Sequence, residues 1–158
     1  MENTSPIRAV IGVSFQAPKT LYVKRSDTMQ NYPGVWSLPS IQYKAEELPD
    51  PLDLDAAAKI FVRMSQERFE GTPVKVHHYL TAGSSDLNPM ERMVELVLYR
   101  ISFEWGDPLL NKWFYTQSAW LTQKEFDLKT VLAPLPCGLC TKLWRQYEQE
   151  NVFSRVSG

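Results

Sequence analysis

Between Lys59 and Arg68 the chain gathers three cations and one carboxylate at helical spacing. Residues three and four apart share one face of a helix, so Ile60, Arg63, Met64 and Glu67 lie together. A carboxylate such as Glu67 suits a hard cation, and Mg²⁺ usually takes one or two carboxylates together with substrate phosphates. Arg63, four residues earlier, competes for that carboxylate and repels the cation. Lys59, Arg63 and Arg68 instead suit direct contact with phosphate or carboxylate, because a guanidinium presents a planar fork of donors that matches those anions. The apolar members, Ile60, Phe61 and Met64, also read as an ordinary core stripe, with Lys59, Glu67 and Glu70 in solvent. A second pair of cations, Lys24 and Arg25, ends an apolar segment. Trp36 follows a Pro-Gly turn and offers an aromatic body for core packing or for stacking on a flat ligand. Glu95, like Arg100, interrupts an otherwise apolar run; buried there, it needs a partner.

The two cysteines, Cys137 and Cys140, form a C-x-x-C. A structural zinc site needs two further ligands. The adjacent His77 and His78 would point to opposite faces of a strand, so at most one could join. No βαβ pattern precedes the pair, as a thioredoxin-like redox motif would require. The pair therefore reads as reduced thiols near a helix start, packed as small apolar groups.

These residues must be held by one compact domain. The chain has 158 residues, enough for one real core and too few for two. With 44% hydrophobic residues, 22% charged residues and a net charge of −1, it shows no basic surface for general nucleic-acid binding or for a membrane. No apolar run approaches the roughly 20 residues that span a bilayer. The opening residues lack the basic and apolar regions of a secretory signal, so a cytoplasmic location is expected.

Strands are expected at 8–15 and 20–24, joined by a short turn as a hairpin. A loop over 26–34 leads to an extended segment at 36–43, and two prolines make 46–53 a loop. A helix follows, capped by Asp53 or Asp55 and ending before Gly71, with Leu54, Ala57, Ala58, Phe61 and Met64 recurring at its period. Strands are expected at 74–81, 93–103 and 114–121, with a polar loop over 82–89. In the second of them Val94, Leu96 and Leu98 share one face and Glu95, Val97, Tyr99, Ile101 and Phe103 the other. Thr122 and Glu125 stand in capping-box spacing before a short helix. A last helix is expected over 137–151. Helices packed on a mixed sheet make an α+β pattern.

Tyr32-Pro33-Gly34-Val35-Trp36, preceded by Arg25-Ser26-Asp27-Thr28, resembles the entry to a Nudix domain. It is most similar to the subgroup that includes isopentenyl-diphosphate isomerases and related diphosphate hydrolases. Later, Ser118-Ala119-Trp120-Leu121 and the following Glu125-Phe126 resemble the family's late Trp-Leu-x-x-x-Glu-Leu segment. The resemblance covers nearly the whole chain and implies a single Nudix-like domain over 1–158, an α/β/α sandwich with a mixed central sheet. Lys24 and Arg25 then lie where relatives often place phosphate-contacting residues.

The family motif is G-x5-E-x7-R-E-U-x-E-E-x-G-U, with U bulky and apolar. Its clustered carboxylates hold divalent metal against a diphosphate. Here Ser40-Ile41 stands at the opening glycines and Glu46 at the first glutamate, followed by an insertion. Anchored on Asp55, the motif puts Lys59 at its arginine and Ile60, Arg63 and Met64 at its glutamates. A second register puts Arg63 at the arginine, Glu67 at one catalytic glutamate and Arg68 at the next, with the closing glycine displaced by one. Neither register restores a metal cluster, and no metal ligands are assigned. Residues 37–43 hold no cysteine, so isomerase activity is not implied.

The leading expectation is a Nudix-like domain that has lost standard metal-dependent hydrolysis. It would bind a nucleotide, diphosphate or other small anionic ligand through Lys24, Arg25, Trp36, Arg63 and Glu95, or take a protein partner or a second copy of itself. A second expectation is a divergent hydrolase of nucleoside or prenyl diphosphates, with Glu46 and Glu67 catalytic and Mg²⁺ or Mn²⁺ as cofactor. A third is metal-free chemistry on a small organic molecule.

Overall fold

The computed structural model describes residues 7–29, 33–44, 46–50, 52–85, 94–104, 106–130 and 138–157. Its strands are β1 (Ile7–Val13), β2 (Phe15–Gln16), β3 (Lys19–Arg25), β4 (Trp36–Ser37), β5 (Ser40–Tyr43), β6 (Val74–Ser85), β7 (Val94–Phe103) and β8 (Tyr115–Leu121). Its helices are α1 (Leu54–Arg68), α2 (Gln123–Thr130) and α3 (Gly138–Ser157). Tyr32, Trp105, Cys137 and residues 86–91 lie outside the described residues.

One sheet has the order β5-β1-β7-β6, with β1 and β7 parallel and the other neighbours antiparallel. In the second, β8 runs along β3 while the short β2 and β4 pair with the two ends of β3. The chain therefore departs from the simple hairpin expected at its start. The segment at 8–15 breaks at Ser14: β1 enters the first sheet, and only Phe15 and Gln16 pair with β3. The segment at 36–43 also splits, with β4 in one sheet and β5 in the other. Its break falls at Leu38-Pro39, and proline brings no N–H to a ladder. At these crossings Gly12 N donates to the Pro39 carbonyl at 2.8 Å and Leu21 N to the Ser14 carbonyl at 2.9 Å.

The sequence of α1 explains its placement. Asp53 caps it, its carboxylate accepting from Ala56 N at 3.2 Å. Ala57, Ile60 and Phe61 are buried, and Leu54 and Met64 pack beside them. They meet the inner face of the first sheet, where Val10, Val97, Tyr99, Ile101 and Phe103 alternate inward. Gly12 sets the closest approach. A Cβ there would lie 2.5 Å from Phe61 Cζ and 2.7 Å from Ile101 Cδ1, so a larger residue would push α1 off the sheet. On the opposite face Ala9, Ile11, Val13 and Leu98 pack with Phe126 of α2 and Cys140 and Trp144 of α3. Helices thus cover both sides of a mixed sheet, the α/β/α arrangement expected. The capping box of α2 is formed as read, with Thr122 N on Glu125 Oε1 at 3.0 Å and Glu125 N on Thr122 Oγ1 at 3.2 Å.

β6 continues through Ser85, where a loop from residue 82 was expected. The small residues at 82–85 pair with Val94 to Val97 at the start of β7, and Gly83 leaves room for Leu143 of α3. Among the described residues no helix is long and apolar enough to cross a membrane.

Candidate functional site

The end of α1 is built around Arg68. Its Nη1 donates to the Ser40 carbonyl at 2.8 Å and to the Tyr115 hydroxyl at 3.0 Å. The guanidinium carbon lies 5.0 Å from the Phe114 ring centroid and 5.9 Å from that of Tyr115, within cation–π range. Tyr115 is held in turn, stacked on Phe69 at 5.4 Å. Asn111 closes the helix: its N donates to the Arg68 carbonyl at 2.9 Å and its side-chain amide to the Glu67 carbonyl at 3.1 Å. These carbonyls have no partner inside the helix, so an outside donor is needed to satisfy them. The β3–β4 loop joins the same place, with Ser26 N on the Phe114 carbonyl and Thr28 Oγ1 on the Trp113 carbonyl at 2.8 and 2.7 Å.

Beyond the helix, Glu70 has a φ of 50 and Gly71 a φ of 77. A left-handed φ is uncommon for a residue with a Cβ and routine for glycine. In the second motif register Glu70 stands at the closing glycine. In the first register that position is Gln66, inside the helix. The backbone therefore favours the second register, with Arg63, Met64, Glu67 and Arg68 at the motif's arginine and glutamates.

One turn earlier, Arg63 Nη2 meets Glu47 Oε2 at 3.0 Å, with the arginine side chain 67% exposed. The other Glu47 oxygen accepts from Lys44 N at 3.2 Å. Glu46 is exposed beside it, so the arginine's partner is the neighbour of the residue singled out in the sequence. Glu67 is also exposed.

Among the other candidates, Arg25 comes to this region. It is buried, and it lies opposite Tyr115 in the β3–β8 ladder, where an irregularity interrupts the register. Lys24 and Trp36 are cross-strand neighbours. Trp36 is only 9% exposed and belongs to the core on the far side from α1, with Lys129 Nζ 5.1 Å from its ring centroid. Glu95 is only partly buried, its side chain 37% exposed, and Arg8 Nε donates to its Oε2 at 2.9 Å across the β1–β7 pair. Tyr43 completes that row on β5, and burial, then the Glu95 charge, pushes its hydroxyl up while Arg8 pulls it down. Burial likewise pushes the Tyr99 hydroxyl up to about 12. These two phenols stay protonated near neutral pH.

The end of α1 carries one carboxylate, Glu67, beside Arg63 and Arg68. Among the described residues no group of three or more His, Cys, Asp and Glu could hold a metal ion. The carbonyl of Ser40, at the motif's opening pair, already accepts from a cation. Cys140 is buried in the α3 core, and His77 Nε2 is engaged with Ser102 Oγ at 2.8 Å. Sequence reading missed Glu47, Tyr115 and Asn111. Adjacent Glu46 and Glu47 are indistinguishable until the turn is formed, and Asn111 acts on residues 44 positions away in the chain, for which local pattern carries no signal.

No family sequence model matches this chain, and no curated protein matches it in sequence. Solved structures do match. A NUDIX hydrolase from Nitrosomonas europaea superposes with a TM-score of 0.67 over 92% of this chain and 90% of its own, at 14% identity. The MutT protein of Methanosarcina mazei Go1 gives 0.65 over 95% and 99%, at 16% identity. The NUDIX domain of Shewanella oneidensis NrtR, solved in complex with ADP ribose, gives 0.59 over 94% and 89%, at 15% identity. Helix placement, mixed sheet and near-complete mutual coverage agree on one conclusion: this chain has the Nudix fold.

Proposed function

We propose that this protein binds a small anionic ligand, a nucleotide or another diphosphate compound, by direct arginine contact at the end of α1, without metal-dependent hydrolysis. The reading rests above all on the α1 face itself. It presents Arg63, Met64 and Arg68 around the lone carboxylate of Glu67, where clustered carboxylates would hold an ion. Arg63 and Arg68 supply planar donors suited to phosphate oxygens. A related fold was solved with ADP ribose, which makes that compound the first to test. The composition favours action in the cytoplasm.

The test is thermal stabilisation in EDTA by ADP ribose and nucleoside diphosphates, since a ligand that binds only the folded state raises stability by about 2.7 kcal/mol at a hundred times its Kd. We expect a shift without metal, lost in Arg63→Ala, and no phosphate release with Mg²⁺ or Mn²⁺. Metal-dependent release that disappears in Glu67→Gln would establish the hydrolase instead. No shift with any phosphate compound would redirect the search to a protein partner.

A further inference from the structure

We propose that the Arg68 guanidinium takes the place of the divalent cation that the carboxylate motif exists to hold, and that its outer edge grips one phosphate or carboxylate group of the ligand. The proposal deepens the binding function given above and rests on it.

Two ends of the motif converge on this side chain. Ser40, at the opening glycine pair, gives its carbonyl to Nη1. Arg68 itself stands at the last glutamate in the register favoured by the left-handed φ of Glu70. A guanidinium carries five N–H donors, two of them on Nη1. Both Nη1 donors are used, one by the Ser40 carbonyl and one by the Tyr115 hydroxyl. Nε and Nη2 have no partner among the described residues, and the side chain is only partly buried. The rings of Phe114 and Tyr115 hold the plane in position. Nε–H and one Nη2–H lie side by side on one fixed edge, and such a pair suits a two-oxygen acceptor. A positive charge held by covalent bonds also differs from a metal ion: it cannot be removed by a chelator, and it cannot lower the pKa of a bound water as a metal does.

Inorganic pyrophosphate is the probe. Calorimetric titration of the wild-type protein in EDTA is expected to show binding, with no gain in affinity when EDTA is replaced by Mn²⁺. Mn²⁺ alone, followed by water-proton relaxation, is expected to show no saturable site. Arg68→Gln and Arg68→Lys should each weaken pyrophosphate at least tenfold, because lysine keeps the charge but lacks the planar edge. Saturable Mn²⁺ binding to the wild type, or pyrophosphate affinity that rises with Mn²⁺, overturns the proposal without using any variant. Undiminished affinity in a folded Arg68→Gln protein also overturns it. If ADP ribose stabilises both the wild type and Arg68→Gln equally, this inference falls while the binding function stands. If the wild type takes neither probe, both fall.

Discussion

Arg63 and Arg68 lie five residues apart on one helix and carry the same group, yet the fold treats them differently. Arg63 reaches into solvent toward Glu47, and both side chains are well hydrated. Arg68 turns inward against a carbonyl, a hydroxyl and two rings. In the first case the Coulomb gain is screened by water and offset by the entropy of ordering two long side chains. In the second, charge-assisted hydrogen bonds form in a partly dry place, and their loss leaves a carbonyl without its donor. Charge by itself therefore says little about which arginine shapes a site. The neighbours decide.

Three substitutions bear on that contrast. Arg68→Ala should have the largest effect, a loss of about 2–3 kcal/mol in urea unfolding, the order expected for hydrogen bonds to a charged group. A loss below about 0.5 kcal/mol would erase the distinction between the two arginines. Ser65 adds a third case on the same helix. It is fully buried and its Oγ has no hydrogen-bond partner among the described residues, so burial there comes without compensation. Ser65→Ala should raise stability by about 1 kcal/mol, by removing a desolvated hydroxyl and adding a better helix former. A clear loss of stability would mean that the hydroxyl serves a partner. Arg63→Ala should change the unfolding free energy least, by under about 0.5 kcal/mol, and the change should shrink further in salt. A larger, salt-insensitive loss would show that the Glu47 contact is structural.

Much of the scaffold was legible from local pattern. Asp53 or Asp55 before an apolar stripe marked the start of α1, where Asp53 proves to be the cap, and Thr122 with Glu125 marked the start of α2. The alternation along β7 separated the two cores correctly, with Val97, Tyr99, Ile101 and Phe103 toward α1 and Leu98 away from it. The sheet crossings at Ser14 and Leu38-Pro39 were not legible. A strand that changes sheets keeps its extended pattern on both sides of the break, and only its hydrogen-bond partners differ. The far half of β6 was missed for a related reason. Its small polar residues resemble a loop until β7 supplies the ladder.

The candidate site divides along the same line. Residue type and helical spacing alone placed arginines and a single carboxylate at the end of α1, because i, i+3 and i+4 neighbours share a face whatever the rest of the chain does. Spacing could not choose between two motif registers, between Glu46 and Glu47, or between Arg63 and Arg68. Those choices depend on contacts across the chain: the Ser40 carbonyl, the Tyr115 hydroxyl and the Asn111 cap meet α1 only after both sheets have formed. The sequence by itself determined which charges the helix carries. The tertiary structure decided which of them is held in a partly dry, hydrogen-bonded place, and there a charge interacts most strongly with its surroundings.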